Sequence, residues 1–261
     1  MKVVILCGGQ GTRIRGVADD LPKPMIPIGG YPILWHIMSG YAAQGFKDFV
    51  LCLGYKGTVI KDFFLNYQTR TNDFTIDFSR GSQMAFDVQR PAIDWRITLA
   101  ETGQDTMTGS RVKRIERYIG SDDSFMLTYG DGVSNVDLRA LLAFHQKRKP
   151  LVTVSGVRPA GRFGELEHDS DGRLTEFNEK PQTTAGRISG GFFVCHRKLF
   201  DYLDAKRDDQ VLEADPLPRL AREGRMAMYS HDGFWQCMDT YRDYALLNEI
   251  YEKGRAPWVT W

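Results

Sequence analysis

The run "KVVILC" (2–7) is apolar at every position after its lysine and ends against Gly8, Gly9 and Gly11. A strand with one wet face alternates polar and apolar residues. A run without alternation is buried on both faces, as in a parallel sheet covered by helices. "DFVLCLGY" (48–55), "SFMLTYGD" (124–131) and "LVTVSGV" (151–157) have the same character. Between them lie helical patterns. "PILWHIMSGYAAQGF" (32–46) puts Ile33, Ile37, Met38, Tyr41 and Ala42 on one face, and "VDLRALLAFHQKRK" (136–149) is amphipathic. "TVIKDFFLNYQ" (58–68) reads as a helix capped by Thr58. This alternation predicts an α/β fold, a Rossmann-like three-layer α/β/α arrangement around a mostly parallel sheet.

Residues 70–100 depart from the rhythm. "DFTIDF" (73–78) has period two and "WRITLAET" (95–102) supplies a partner strand, so the segment is predicted as an antiparallel excursion. Residues 185–200 give a glycine-led strand, and "LEADPLPRLAREG" (212–224) and "TYRDYALLNEIYEKG" (240–254) read as helices. The closing "RAPWVTW" is too aromatic for water and is expected to pack on the body or on a neighbouring copy. With no repeat and no low-complexity linker, residues 1–261 read as one domain, closed by the 240–261 helix and tail.

A net charge of +1 offers no field to nucleic acid or to a membrane surface, and neither is expected as a partner. No apolar run approaches the roughly 20 residues that cross a bilayer, and "MKVVILCGG" lacks the apolar core of a signal peptide. Cys7, Cys52, Cys195 and Cys237 form no C-x-x-C pair, which speaks for a reduced, cytoplasmic protein. The five histidines form no local constellation.

The glycines after the first strand need a reading of their own. A dinucleotide fingerprint requires G-x-G-x-x-G opening directly into a helix. Here the third glycine is missing, and Pro22, Pro24 and Pro27 forbid a long regular helix. The Gly-Lys-Ser/Thr of a P-loop is missing too. What remains is a turn whose bare amides can approach an anion. Arg13 lies just beyond it and Lys23 sits between two prolines. A guanidinium fork, an ammonium and exposed amides suit a polyphosphate. The plain alternative is a surface turn with incidental basic residues. Asp131 ends a strand, where ligands gather in open α/β sheets, although an Asp-Gly turn would look the same. Asp239 precedes a helical stretch and could simply cap it.

"GGQGTR" followed by "PKPM" resembles the signature of the sugar-1-phosphate nucleotidyltransferases. "GGYPILWHIM", "LGYKG", "DTMTGSR", "TYGDGV", "GRFGEL", "EKP", "SGGFFV", "GFWQCMDT" and "EKGRAPWVTW" extend the resemblance over nearly the whole chain, in order, to the glucose-1-phosphate cytidylyltransferases. The "MTG" segment and the stretch from "GFWQ" to "APW" point to the cytidylyl branch. Departures are Cys7 where alanine is usual, Asn178 where glutamine usually precedes "EKP", and Cys237 where proline is usual. The last two bear on substrate preference.

The resemblance implies that Leu6, Cys7, Gly8, Gly9, Gln10, Gly11, Thr12, Arg13, Lys23, Thr106, Arg111 and Gly130 meet the nucleotide. It implies that Gly164, Glu179 and Lys180 meet the sugar phosphate and that Asp131 and Asp239 hold Mg²⁺. Arg13, Lys23, Asp131 and Lys180 would carry catalysis. The plain reading of "NEKP" is a solvated Glu-Lys pair, and that of "TMTGSR" a polar loop leading into a basic strand, "RVKRIERY". The implied substrates are CTP and glucose 1-phosphate, the implied assembly is a homo-oligomer as large as a hexamer, and the implied product feeds deoxysugars of bacterial surface polysaccharide (O antigen, lipopolysaccharide). Three alternatives stay open: another nucleotide or sugar such as UTP, dTTP or a mannose phosphate; a non-catalytic nucleotide-binding module; and a dinucleotide oxidoreductase, weakened by the prolines.

Overall fold

The computed structural model describes residues 1–9, 20–87, 93–159, 165–168, 171, 173–178 and 186–261. In chain order it begins β1 (Lys2–Leu6), α1 (Ile33–Ala43), β2 (Asp48–Leu53), α2 (Gly57–Leu65), β3 (Asp73–Asp77), β4 (Gln83–Asp87) and β5 (Arg96–Glu101). It continues α3 (Thr108–Arg114), β6 (Ser124–Tyr129), β7 (Gly132–Ser134), α4 (Leu138–Arg148), β8 (Val152–Val157) and β9 (Ile188–His196). Last come α5 (Pro216–Arg222), β10 (Met226–His231), β11 (Trp235–Cys237) and α6 (Tyr241–Glu252). Seven strands form one sheet in the order β10-β8-β9-β6-β1-β2-β5. Within it β9 alone runs antiparallel to its neighbours.

Both faces of the sheet are buried, as the unbroken apolar runs require. Val3, Ile5, Phe49, Leu51, Met126 and Val194 join α1 in one core, while Val4, Leu6, Val50, Cys52, Phe125 and Leu127 face the other way and pack on Val112, Ile115 and Ile119. Alternate residues of each central strand thus enter separate cores, and the few polar residues there, Thr128, Thr153 and Ser155, are buried too. The four cysteines are free. Among the described residues no helix is long and apolar enough to cross a membrane.

The structure differs from the sequence reading at three places and settles a fourth, where the reading left two options. Residues 95–102 do not pair with 73–78: β5 joins the edge of the main sheet parallel to β2, and β3 pairs with β4 instead, Phe74 opposite Phe86. The turn between β3 and β4 explains the choice, since Asp77 accepts from the Ser79 amide and Gly81 takes a left-handed φ of 73°. Thr58 does not cap α2. Lys56 occupies that position in a left-handed conformation, φ 50°, with no side-chain cap. "RVKRIERY" is helical, because Val112, Ile115 and Ile119 recur at helical spacing and bury one face. The tail chooses the body: Trp258 is buried, stacks on Phe234 and donates its Nε1–H to His36 Nδ1 at 3.3 Å.

His145 on α4 supplies a test of this core. It is buried, its Nδ1 lies 2.9 Å from Thr153 Oγ1, and its pKa is lowered from 6.5 to about 4, mainly by burial and then by the charge of His196. The folded chain therefore binds fewer protons here than the unfolded chain. Stability is expected to be complete above pH 6.5 and to decline as pH falls toward 4, by on the order of 2 kcal/mol from this group. Urea titrations across that window should show the decline shrink in His145→Gln; an unchanged slope would contradict it.

Candidate active site

β1 lies between β2 and β6, so chains leaving its carboxyl end and that of β6 diverge and open a crevice at a topological switch point. The Gly130 amide donates to Leu6 O at 3.0 Å and seals the base of this crevice. A Cβ on Gly130 would stand 3.0 Å from both Leu6 O and the Pro24 ring, so the tie depends on glycine.

Asp131 and Asp239 are brought together by the short antiparallel pair β7–β11. Gly132 pairs with Cys237, and the Met238 amide donates to Asp131 O at 2.8 Å. Asp239 is not the cap of α6. Thr240 is, in a reciprocal capping box with Asp243. The Asp239 carboxylate instead approaches Lys23 Nζ at 2.5 Å and accepts from the Cys237 thiol at 3.1 Å. The same ammonium lies 2.6 Å from Asp131. Pro22 and Pro24 hold Lys23 on a single 3₁₀ turn, aimed at both acids. Burial works to lower the Lys23 pKa, but the two carboxylates outweigh it, Asp131 first, and the net shift is upward. Burial and Asp239 push the Cys237 thiol up to about 12.

Two carboxylates that reach one nitrogen can also converge on one cation. They are hard oxygen donors, each about a third exposed, and among the described residues no third His, Cys, Asp or Glu completes a cage with them. That donor set fits Mg²⁺, which favours few protein carboxylates and keeps other positions for phosphate and water oxygens.

Arg111, on α3, closes the other side. Its guanidinium is buried and donates to Leu53 O (3.0 Å), Thr102 Oγ1 (2.9 Å), Gly103 O (2.6 Å), Gln104 O (3.0 Å) and Gly8 O (3.2 Å). One side chain thus ties together the carboxyl ends of β1, β2 and β5. Gly8 and Gly54 are glycine for this reason: a Cβ at either would stand 2.2 or 2.4 Å from the guanidinium. Burial lowers the Arg111 pKa, yet an arginine stays charged in a protein. Beside it, the Thr106 hydroxyl accepts from Arg114 at 2.9 Å.

Two clefts meet at this point. One, of about 200 Å³, is lined by Leu6, Gly8, Gly9, Lys23, Thr106 and Arg111 and ends at Gly130 and Asp131. The other, of about 190 Å³, runs from Tyr129 and Asp131 along Gly190 and Gly191 to Trp235 and Asp239. Asp131 and Tyr129 border both. Cys7, between Leu6 and Gly8, is fully buried and lines neither cleft.

Of the residues singled out in the sequence, Leu6, Gly8, Gly9, Lys23, Thr106, Arg111, Gly130, Asp131 and Asp239 line these clefts, and Cys7 is buried behind them without lining either. Gln10, Gly11, Thr12, Arg13, Gly164, Glu179 and Lys180 lie outside the described residues. Sequence reasoning missed Tyr129, Trp235 and the Gly190–Gly191 pair as cleft walls. Tyr129 donates to Glu213, which also accepts from Thr108 Oγ1 at 2.8 Å, and Trp235 Nε1 donates to Gly190 O at 2.7 Å. Gly191, at φ 78°, leaves room for the Tyr129 ring, which a Cβ would approach to 2.8 Å. The doubled glycine of "SGGFF" was the available signal.

The profile of the nucleotidyl transferase family matches residues 2–254. The chain is 43% identical to a glucose-1-phosphate cytidylyltransferase of Salmonella typhi over 262 residues, which cover the whole of both proteins. It is 28% identical to a mannose-1-phosphate guanylyltransferase of Mycobacterium tuberculosis, over 98% of this chain and 66% of that one. Among solved structures it is similar to HddC from Yersinia pseudotuberculosis, with a TM-score of 0.67 and 24% identity over 96% of this chain and 99% of that one, a likeness of fold.

Proposed function

The chain belongs to the nucleotidyl transferase family, and from that premise we propose that it is a glucose-1-phosphate cytidylyltransferase. It joins CTP and α-D-glucose 1-phosphate into CDP-glucose. A phosphate oxygen of the sugar attacks the α-phosphorus of CTP as the bond to the β-phosphate oxygen breaks, and pyrophosphate leaves with the electron pair. The nucleophile is already an anion and needs no strong base. The obstacle is bringing two anions together, which positioning and electrostatics overcome.

The observation that carries this reading is the junction of two clefts at Lys23, Asp131 and Asp239. The Gly8–Thr106–Arg111 cleft takes the nucleotide and the Gly190–Trp235 cleft the sugar, so the reacting phosphates meet at the junction. Lys23 holds triphosphate oxygens by its ammonium. Gln10, Gly11, Thr12 and Arg13 would add amides and a guanidinium for the nucleotide, and Gly164, Glu179 and Lys180 would receive the sugar and its phosphate. Asp131 and Asp239 would hold Mg²⁺, which when bound neutralises phosphate oxygens.

Pyrophosphate release measured over a matrix of nucleoside triphosphates and sugar 1-phosphates, with and without Mg²⁺, tests this. The highest kcat/KM is expected for CTP with glucose 1-phosphate, lost on chelation. A higher value with UTP, dTTP or mannose 1-phosphate would transfer the chain to that specificity, and no turnover with any pair would favour a non-catalytic module.

The reading includes a homo-oligomer in a reducing cytoplasm, supplying CDP-glucose for surface polysaccharide. Four free cysteines agree with the compartment. The β3–β4 hairpin supports the assembly: Phe74, Ile76, Met84 and Phe86 share one face in register and are all exposed, with Phe78 at the turn 79% exposed. A two-stranded ribbon is marginal alone, and such a face calls for a cover. Phe74→Asp with Phe86→Asp is expected to shift sedimentation to a smaller species. A wild-type monomer at working concentration would remove the assembly from the reading.

A further inference from the structure

The end of the sheet opposite the clefts carries a second concavity. Val152 at the start of β8 pairs with Cys195 near the end of β9 and with Met226 at the start of β10. That register aligns three basic runs that are distant in sequence: "KRK" (147–149), "HRK" (196–198) and "R" at 225. Backbone bonds fix the alignment, with His196 N–H donating to Leu151 O and Leu151 N–H to Arg225 O, both at 2.8 Å. The resulting groove has a volume of about 470 Å³ and is walled by Arg148, Lys149, His196, Lys198 and Arg225 over a floor of Leu151 and Met226. None of the described residues lining it is acidic.

Basic residues at helix C-termini are ordinarily explained by the helix dipole, and the carboxyl ends of α4 and α5 do lie here. Two such termini offer about one negative charge together, whereas Arg148, Lys149, Lys198 and Arg225 bring four positive ones. Glu223 is near the edge, but its carboxylate is taken by Arg219 at 2.9 Å and the Tyr202 hydroxyl at 2.8 Å. Arg225 donates to that same hydroxyl at 2.7 Å. Lys149 and Lys198 have no ion-pair partner among the described residues. The Lys198 amide donates to His196 Nδ1 at 3.0 Å, which leaves Nε2 as the ring's donor in the neutral form. In a chain of net charge +1, this local surplus is concentrated on one concave surface.

We propose that the basic groove between α4, the end of β9 and the start of β10 binds a small oligophosphate, a molecule carrying at least two phosphoryl groups, at a site separate from the Asp131 clefts. A volume larger than one phosphate and cations on three walls favour several linked phosphoryl groups over a single anion. The length of β6, about 17 Å at ~3.4 Å per residue, separates the groove from Asp131, so the two sites can fill independently.

Tripolyphosphate binding to the full chain, followed by equilibrium dialysis at about 0.1 M salt, tests this with the wild type, Lys149→Glu/Lys198→Glu and the milder Lys149→Ala/Lys198→Ala. The wild type is expected to saturate at two equivalents per chain and the charge-reversed variant at one, with kcat and the KM for CTP within twofold of wild type in both variants. The alanine variant should bind the second equivalent at least tenfold more weakly. One equivalent in all three proteins overturns the proposal. So does a smaller species in sedimentation for the charge-reversed variant, which would assign the groove to a second copy. Displacement of the second equivalent by a DNA oligonucleotide at concentrations where CDP fails to displace it would also overturn it, in favour of a macromolecular polyanion.

Discussion

Lys23→Ala is expected to lower turnover by about 10²–10³-fold, the usual cost of removing one charge-stabilising donor from a transition state. Two effects combine. The triphosphate loses the ammonium that would stabilise charge leaving with pyrophosphate. In the free protein, Asp131 and Asp239 lose the cation that lies 2.6 and 2.5 Å from them, and their mutual repulsion is less offset. The second effect makes a particular prediction about Mg²⁺: the variant should hold the ion at least as tightly as the wild type, because the Lys23 ammonium no longer competes for the same carboxylate oxygens. Steady-state kinetics with Mg²⁺ titration separates the two. A fall in kcat with an unchanged or lower half-saturating Mg²⁺ concentration is the expected pattern. Near-normal turnover would remove Lys23 from the chemistry.

Arg111→Met is expected to cost about 3–5 kcal/mol of stability, the range seen when one partner of a buried charged network is removed. The methionine fills part of the volume but removes the guanidinium donor from the Gly8, Gly103 and Gln104 carbonyls and from the Thr102 hydroxyl, while Leu53 O keeps the Thr102 amide and hydroxyl. In a chain of this size that corresponds to a melting temperature lower by roughly 10 °C. Arg111→Lys should recover only part, since one ammonium cannot span acceptors that a planar fork reaches together. Thermal unfolding followed by circular dichroism checks both variants, and a midpoint within about 2 °C of wild type for Arg111→Met would show that the strand ends hold together without it. Loss of nucleotide affinity is expected alongside, because Gly8 is one of the tied residues and lines the nucleotide cleft.

Much of this architecture was legible in the chain. Strands β1, β2, β6 and β8 announced themselves as unbroken apolar runs because each is covered on both faces, and burial on two faces leaves a mark that no partner is needed to read. Lys23 was marked by the prolines on either side. The helix α3 was misread because its basic residues are conspicuous, while the Val112–Ile115–Ile119 spacing that determines its state is quiet. The pairing of β3 was misread because alternation reveals that a strand exists and says nothing of its neighbour. Its choice of β4 rests on a turn at Asp77 and Gly81 whose geometry appears only when the chain is folded.

What the sequence determined by itself is therefore the class of fold, the burial of its central strands and the types of group available to a phosphate. What only the tertiary structure decided is their meeting. Asp131 and Asp239 become neighbours through the pairing of Gly132 with Cys237, more than a hundred positions apart. Arg111 turns out to grip backbone carbonyls, and three scattered basic runs become one groove. Local patterns are written by which side of a strand or helix is buried, a property of adjacent residues. Convergence of distant groups depends on register between strands, which no short stretch of chain contains.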